Sequence, residues 1–282
     1  MTEARADMAT TGGPSGDGDR GGEWRPGDGR AAPAWRAILA QTAMELRLTS
    51  RRGENLLVTL VIPVVLLLFF GSVKVLPGST GTTGSGRPID TLLPGILALA
   101  IISTSLVNLG IATAYERSYG VLKRLGGTPL SRAGLIVAKM LAVLVVELLQ
   151  LALLVAVGSL AFGWTAGAGS SAFLVTGVVL LGTLAFAGLG LLMAGRLRAE
   201  GTLAGANGLY LAFLLLGGIV LPVDQLPGLL ADLARLLPAA ALSDALRIGL
   251  GGATGAATGP VLLLAGWGIV TTGLAARTFR WE

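Results

Sequence analysis

Six stretches of the sequence, residues 55–76, 91–114, 134–162, 171–195, 202–221 and 256–276, are almost free of charge and each about as long as a lipid bilayer is thick. A helix needs about 20 apolar residues to cross the hydrocarbon. Only helices and closed barrels satisfy their own backbone there. The runs predict an all-α, polytopic membrane protein with six transmembrane helices, the third long enough to extend beyond the bilayer. Composition agrees: 13% of the 282 residues are charged and 53% are hydrophobic, whereas a soluble domain carries about 25% charged residues. The 43 glycines allow the close helix approach seen in packed membrane bundles.

The net charge of +5 does not point to nucleic acid, because the basic residues are spread over short loops. Divide the chain into alternate sides of a membrane, with 53–282 as the six-span domain. One side then holds 17 of the 21 Lys and Arg: the start of the chain to Arg52, the loop after span two, the loop after span four, and the C-terminus. The other holds Lys74, Arg87, Arg235 and Arg247. The basic side is expected to be cytoplasmic, which puts both termini inside.

Residues 1–33 are rich in Gly, Asp, Arg and Pro and read as a disordered cytoplasmic tail. No apolar core follows the early charges, so a signal peptide is not expected. Residues 34–52 predict an amphipathic helix with Trp35, Ile38, Leu39, Thr42, Ala43 and Leu46 on one face. It either lies along the inner membrane surface, basic side toward anionic headgroups, or packs on protein as an ordinary helix.

Two loops exceed simple connectors. The one after span two predicts a short amphipathic helix over 115–125, stopped by Gly126, Gly127 and Pro129. It suits either a groove on another protein or a surface anchor. The loop after span five, 222–255, contains two short amphipathic segments separated by Pro238. They either re-enter the outer leaflet backed by protein or lie on the outer face.

The chain has no Cys and no His, which excludes disulfides, Cys or His metal sites, and thiol or imidazole catalysis. It lacks a G-x-x-x-x-G-K-[ST] phosphate loop, so it is expected to bind no cofactor and hydrolyse no ATP itself. Glu147 lies deep in span three. An ionisable group there is a functional candidate by default; Gln150 shares its face and Asn108 of span two is a possible partner. The group either ties helices by hydrogen bonds or contacts solute or protons. Lys74 and Lys139, near span ends, are expected to snorkel to the interface.

Certain residues carry a resemblance. They are Glu116-Arg117 followed by Gly120, Leu122, Leu125 and Thr128-Pro129, then Lys139; and Gly218-Ile219-Val220-Leu221-Pro222 followed by Leu226-Pro227, Pro238 and Ala245-Leu246-Arg247. With the surface helix and six spans, they make the chain from about Trp35 onward resemble the permease subunit of type-2 ABC exporters, the daunorubicin-exporter-like branch. The resemblance implies that Glu116, Arg117, Gly120, Leu122 and Leu125 belong to a coupling helix docking into an ATPase subunit. Arg196, Arg198 and Glu200 would supply a second contact, 34–52 a connecting helix, and the outer loop re-entrant helices. It also implies two paired permeases in a bacterial plasma membrane, with ATP and Mg on the partner ATPase, exporting a hydrophobic or amphipathic solute. The long tail departs from this pattern. An ion-gradient-driven secondary transporter is the alternative, weakened by the absence of a clear internal repeat; a non-transporting scaffold is a third.

Overall fold

The structure, a computed structural model, describes residues 33–51, 53–72, 88–125, 131–219, 223 and 226–278. Among these the chain is all helix: α1 (Ala34–Arg51), α2 (Gly53–Ser72), α3 (Pro88–Ile102), a π-helical segment (Ser103–Asn108), α4 (Leu109–Ser118), α5 (Val121–Leu125), α6 (Arg132–Phe162), α7 (Ala172–Arg196), α8 (Ala199–Leu216), α9 (Gly228–Leu236), α10 (Pro238–Gly249) and α11 (Thr258–Thr278). Expectations for Lys74, Gly126 to Pro129 and Leu221-Pro222, and for the tail 1–32, lie outside the described residues.

Among the described residues, five helices are long and apolar enough to cross a membrane: the continuous Pro88–Ser118, Arg132–Phe162, Ala172–Arg196, Ala199–Leu216 and Thr258–Thr278. The apolar part of α2 runs over Leu57–Ser72, shorter than the others, and residues 73–76 of the predicted first span lie outside the described residues. The Pro88–Ser118 rod is the centre of the bundle, with 83% of its apolar stretch buried against 22% for α6, α8 and α11. Leu160, Phe173, Leu262 and Ile269 are exposed on the perimeter, where a protein in water would place polar groups.

Local signals explain several ends. Ser131 and Ser171 cap α6 and α7 with side-chain oxygens that accept from the N–H of Gly134 and Leu174, as capping residues do. Gly163 ends α6 in the left-handed conformation. Span five starts three residues earlier and ends five residues earlier than its apolar run suggests, at Leu216. The cause is a turn in which Gly218 has a φ of 66°, inaccessible to most side chains. The 115–125 helix is split in two. α4 carries span two straight out to Ser118, and Gly120, at φ 71°, turns the chain before α5.

Close packing is backbone on backbone at α7. A Cβ on Gly190 would stand 2.7 Å from the carbonyl oxygen of Leu106 in the π-helical segment. Gly190→Ala is therefore expected to lower stability by about 2 kcal/mol, in the range of core overpacking. Unfolding in one fixed detergent would check this; an unchanged midpoint would mean the two segments do not touch.

In the loop after span five, the two expected segments are α9 and α10, and Pro238 stands at their boundary in the first turn of α10. α10 is buried along most of its length, whereas Leu229, Leu233 and Leu236 of α9 are exposed. Arg247 donates to the Gly218 carbonyl and lies 3.5 Å from Asp244. It thereby joins the two halves of the 218–247 pattern.

Candidate functional site

Lys139 on α6 is the largest fully buried side chain of the described residues, 2% exposed. An ammonium group is almost never so enclosed unless paired. Its Nζ donates to Glu45 Oε1 on α1 at 2.9 Å and to Glu116 Oε2 on α4 at 2.6 Å. Glu45 Oε1 also accepts from Gln41 Nε2 at 2.9 Å. One cation thus clasps three helices. The expected snorkelling of Lys139 does not occur, because two carboxylates stand nearer than any solvent. Removing one partner from a buried ion pair strands the other, which costs far more than the pair itself contributes.

α1 presents itself to fit. Ile38, Thr42, Glu45 and Leu46 face inward, while Trp35, Leu39 and Ala43 of the predicted apolar face are exposed. Thr42 Oγ1 reaches the carbonyl oxygen of Ala138 at 3.3 Å. The inner side of this amphipathic helix is thus partly polar.

Arg117, next to Glu116, donates through Nη2 to the carbonyl oxygen of Leu197. That bond joins the two loops for which the family resemblance implies partner contacts. Ala114, Ala194 and Ala199 pack beside it against Tyr115. Leu122 is fully buried among Leu109, Leu135, Ile136 and Leu191 and holds α5 to the bundle. Leu125 closes α5, and Gly120 forms the turn. Tyr119, Val121, Lys123, Arg196, Leu197, Arg198 and Glu200 are exposed at this end. The outward-facing groups are therefore neighbours of Glu116, Arg117 and Leu122 rather than those residues.

Deeper in the bundle, Ser105 Oγ donates to Glu147 Oε2 at 3.0 Å, and Thr183 Oγ1 lies 3.0 Å from both carboxyl oxygens. Thr183 Oγ1 is also 2.9 Å from the Val179 carbonyl, and its single proton serves only one of these acceptors at a time. Gln150 accepts from Thr104 Oγ1 at 2.7 Å and donates to the Thr59 carbonyl at 2.8 Å. Asn108 does not meet Glu147; its Nδ2 donates to Thr59 Oγ1 at 2.8 Å. The π-helical turn is what aims Thr104, Ser105 and Asn108 at three neighbours, a local geometry frequent at functional sites. Among the described residues no Lys or Arg pairs with Glu147, and no cluster of three metal-ligating side chains occurs.

This network predicts a mild phenotype. Glu147→Gln keeps a donor and an acceptor and is expected to change stability by less than about 0.5 kcal/mol. Glu147→Leu should cost about 1 kcal/mol, typical of hydrogen bonds between membrane helices. Detergent unfolding of both variants distinguishes them. A large loss for Gln would contradict a role of tying helices together.

A cavity of about 550 Å³ connects the clasp to this network. Glu45 and Thr49 of α1, Thr59 of α2, Thr104 and Asn108 of the π-helical segment, Tyr115 and Glu116 of α4, and Lys139 and Val143 of α6 line it.

A bundle of lipid-compatible helices that encloses ionic and amide groups and exposes an apolar perimeter defines a multi-pass membrane protein. The profile of the ABC-2 type transporter family matches residues 36–250, and the chain belongs to that family, the membrane-embedded permeases of ABC transporters. Membership implies an ABC ATPase partner. A relative, "Putative transport permease YvfS" of Bacillus subtilis (strain 168), is 25% identical over 207 residues, covering 70% of this chain and 79% of its own length.

Proposed function

We propose that this chain is the transmembrane subunit of a two-component, ATP-driven exporter in a bacterial plasma membrane. Two permeases pair above two separate ATPase subunits, which hold ATP and Mg. The chain crosses the membrane six times, α2 completing the count, with both termini in the cytoplasm. The solute is hydrophobic or amphipathic, consistent with efflux. The observation that carries the reading is the Lys139 clasp, because it connects the α4–α5 corner to α1 and to the long helix α6.

ATPase closure pushes on the exposed Tyr119, Val121, Lys123, Arg196 and Arg198. The buried Leu122 and the Arg117 bond to Leu197 make this corner one piece. Glu116 pulls on Lys139, and Lys139 moves α6 and α1 together. Such transmission needs a rigid local unit more than a strong one; a buried ion pair fixes orientation even where its net contribution to stability is small.

The test is co-purification with an ABC ATPase of the same organism. The double variant Val121→Asp, Arg198→Glu alters the outer surface of the corner and leaves the clasp alone. Recovery of the ATPase is expected to fall at least about tenfold, as for loss of central interface contacts, with unchanged membrane insertion. Full recovery of the ATPase by the variant would refute the docking surface. An ion-gradient-driven transporter would instead need no ATPase and would lose transport in Glu147→Gln.

A further inference from the structure

α1 has two sides, and the bundle uses one of them. Glu45, the single acid of the helix, turns inward with Thr42 and is taken up by Lys139 on α6. Arg36, Arg47 and Arg51 are exposed. On an α-helix they fall within about 60° of one another, on the side away from Thr42, in a stripe roughly 22 Å long. Ala40 is exposed between them and is too short to cover the guanidinium heads.

Large apolar side chains border this stripe. Trp35 and Leu39 are 57% and 53% exposed along one edge, and Met44 and Leu48 are 50% and 38% exposed along the other. Arg36 stands over the Trp35 ring, its Cζ 5.3 Å from the centroid. Water suits such apolar edges poorly, and hydrocarbon excludes three cations. The headgroup layer accommodates both. Trp is favoured there, and an arginine can lay its stem on apolar surface while its fork meets phosphate. A single residue, Arg52, separates α1 from α2, whose apolar part begins at Leu57. The C-terminal end of α1 therefore lies close to where the hydrocarbon begins.

The charge of the lipid follows from what the face presents. It holds three cations and no acid. The next acid, Glu54, stands in the first turn of α2, and among the described residues no ion pair engages Arg36, Arg47 or Arg51. A zwitterionic headgroup brings a cation with every phosphate and sets it against the stripe; an anionic headgroup brings none.

We propose that the outward face of α1 binds anionic phospholipid, with phosphates on Arg36, Arg47 and Arg51 and acyl chains along the two apolar edges. α1 is then a bracket, held to lipid by its arginines and to α6 by Thr42 and Glu45. Lys139 also holds Glu116, so a single ion cluster joins the lipid-bearing helix to the α4–α5 corner. Lipid binding at this face needs neither an ATPase nor a particular orientation in the membrane.

The experiment uses the full chain with Ala40→Cys, its sole cysteine, carrying an NBD fluorophore, in phosphatidylcholine nanodiscs without ATPase. A small fraction of lipid bears a nitroxide near the headgroup, on either phosphatidylglycerol or phosphatidylcholine, and quenches the fluorophore on contact. At equal mole fraction the phosphatidylglycerol is expected to be enriched at the probe at least about fivefold, the effect of one basic side chain near an anionic surface. The triple variant Arg36→Gln, Arg47→Gln, Arg51→Gln should bring the two lipids level. Its substitutions are all at exposed positions, so thermal unfolding in phosphatidylcholine should match the native chain. A probe at Phe173→Cys, 92% exposed at the start of α7, should be quenched alike by both lipids. Equal quenching at Ala40→Cys, a preference that survives the triple variant, or the same preference at Phe173→Cys would overturn the proposal. Quenching by neither lipid at Ala40→Cys would place the face in water or on another protein and overturn it as well. ATPase recovery is read separately: its absence with the lipid preference intact would sink the exporter reading and leave this surface.

Discussion

Replacing Lys139 with Met is expected to destabilise the protein by about 3 kcal/mol and to uncouple it from its ATPase. The cost follows from what the substitution leaves behind. Glu45 and Glu116 would face each other across an apolar side chain of similar length, and breaking a buried pair by removing one partner costs about 3–5 kcal/mol. The lower end applies because both carboxylates keep an edge toward the cavity, where water reaches them. The triple variant Glu45→Gln, Lys139→Met, Glu116→Gln removes every charge together and should regain most of the stability, since neutral replacement of a buried ion cluster is often nearly free. Function should not return with it. The chain has no cysteine, so a single Leu229→Cys on α9 provides a substrate-free reporter of movement at the far end. In the complex with the ATPase, nucleotide should change the labelling rate of this cysteine in the native background. It should do so in neither the single nor the triple variant. A triple variant that still responds would show that the corner transmits force without the clasp. A single variant as stable as the native protein would show that the ion cluster does not form.

The clasp also marks where sequence reasoning reached its limit. Long uncharged runs identify membrane helices because lipid offers the backbone no alternative partner, and the five described helices long and apolar enough to span coincide with such runs. Caps such as Ser131 and Ser171, and the glycine at 163, bound α6 and α7 by rules that act within a few residues. The partner of Lys139 obeys no such local rule. Glu45 stands 94 positions away, and a lysine near the end of an apolar run looks the same in sequence whether it reaches toward headgroups or toward a buried carboxylate. Glu147 and Gln150 stand out as polar residues in an apolar run, yet their partners are hydroxyls, Thr104, Ser105 and Thr183, that are common in membrane helices. The run Ser103-Thr104-Ser105 is the one signal that fits, because such side chains compete for backbone partners. The extra residue of the π-helical turn, which aims them, left no trace in hydropathy. The residues of the expected coupling segment divide on the same principle. Composition and order single out the segment 116–125, but only packing tells that Leu122 is a foundation and that Tyr119 and Val121 are the surface.

Sidedness offers the second large effect. Tyr119→Cys, at a position 75% exposed, and Leu229→Cys, at one 76% exposed, mark the two ends of the bundle in a chain free of other thiols. An impermeant maleimide added to intact cells is expected to modify Leu229→Cys at least about tenfold more than Tyr119→Cys, and inverted vesicles should reverse the ratio, as the uneven distribution of 17 of 21 basic residues predicts. The labelling needs no ATPase and is best done in cells lacking it, where no ATPase shields Tyr119. The force of the bias comes from the cost of moving Lys and Arg across the membrane during insertion. The remaining four basic residues of the sequence, Lys74, Arg87, Arg235 and Arg247, are too few to compete. Exposure of Tyr119→Cys to the outside would place the clasp, the cavity's ionic end and the Arg196–Arg198 turn in the extracellular space. No nucleotide-driven partner could then reach them, and the mechanism built on Lys139 would lose its source of energy.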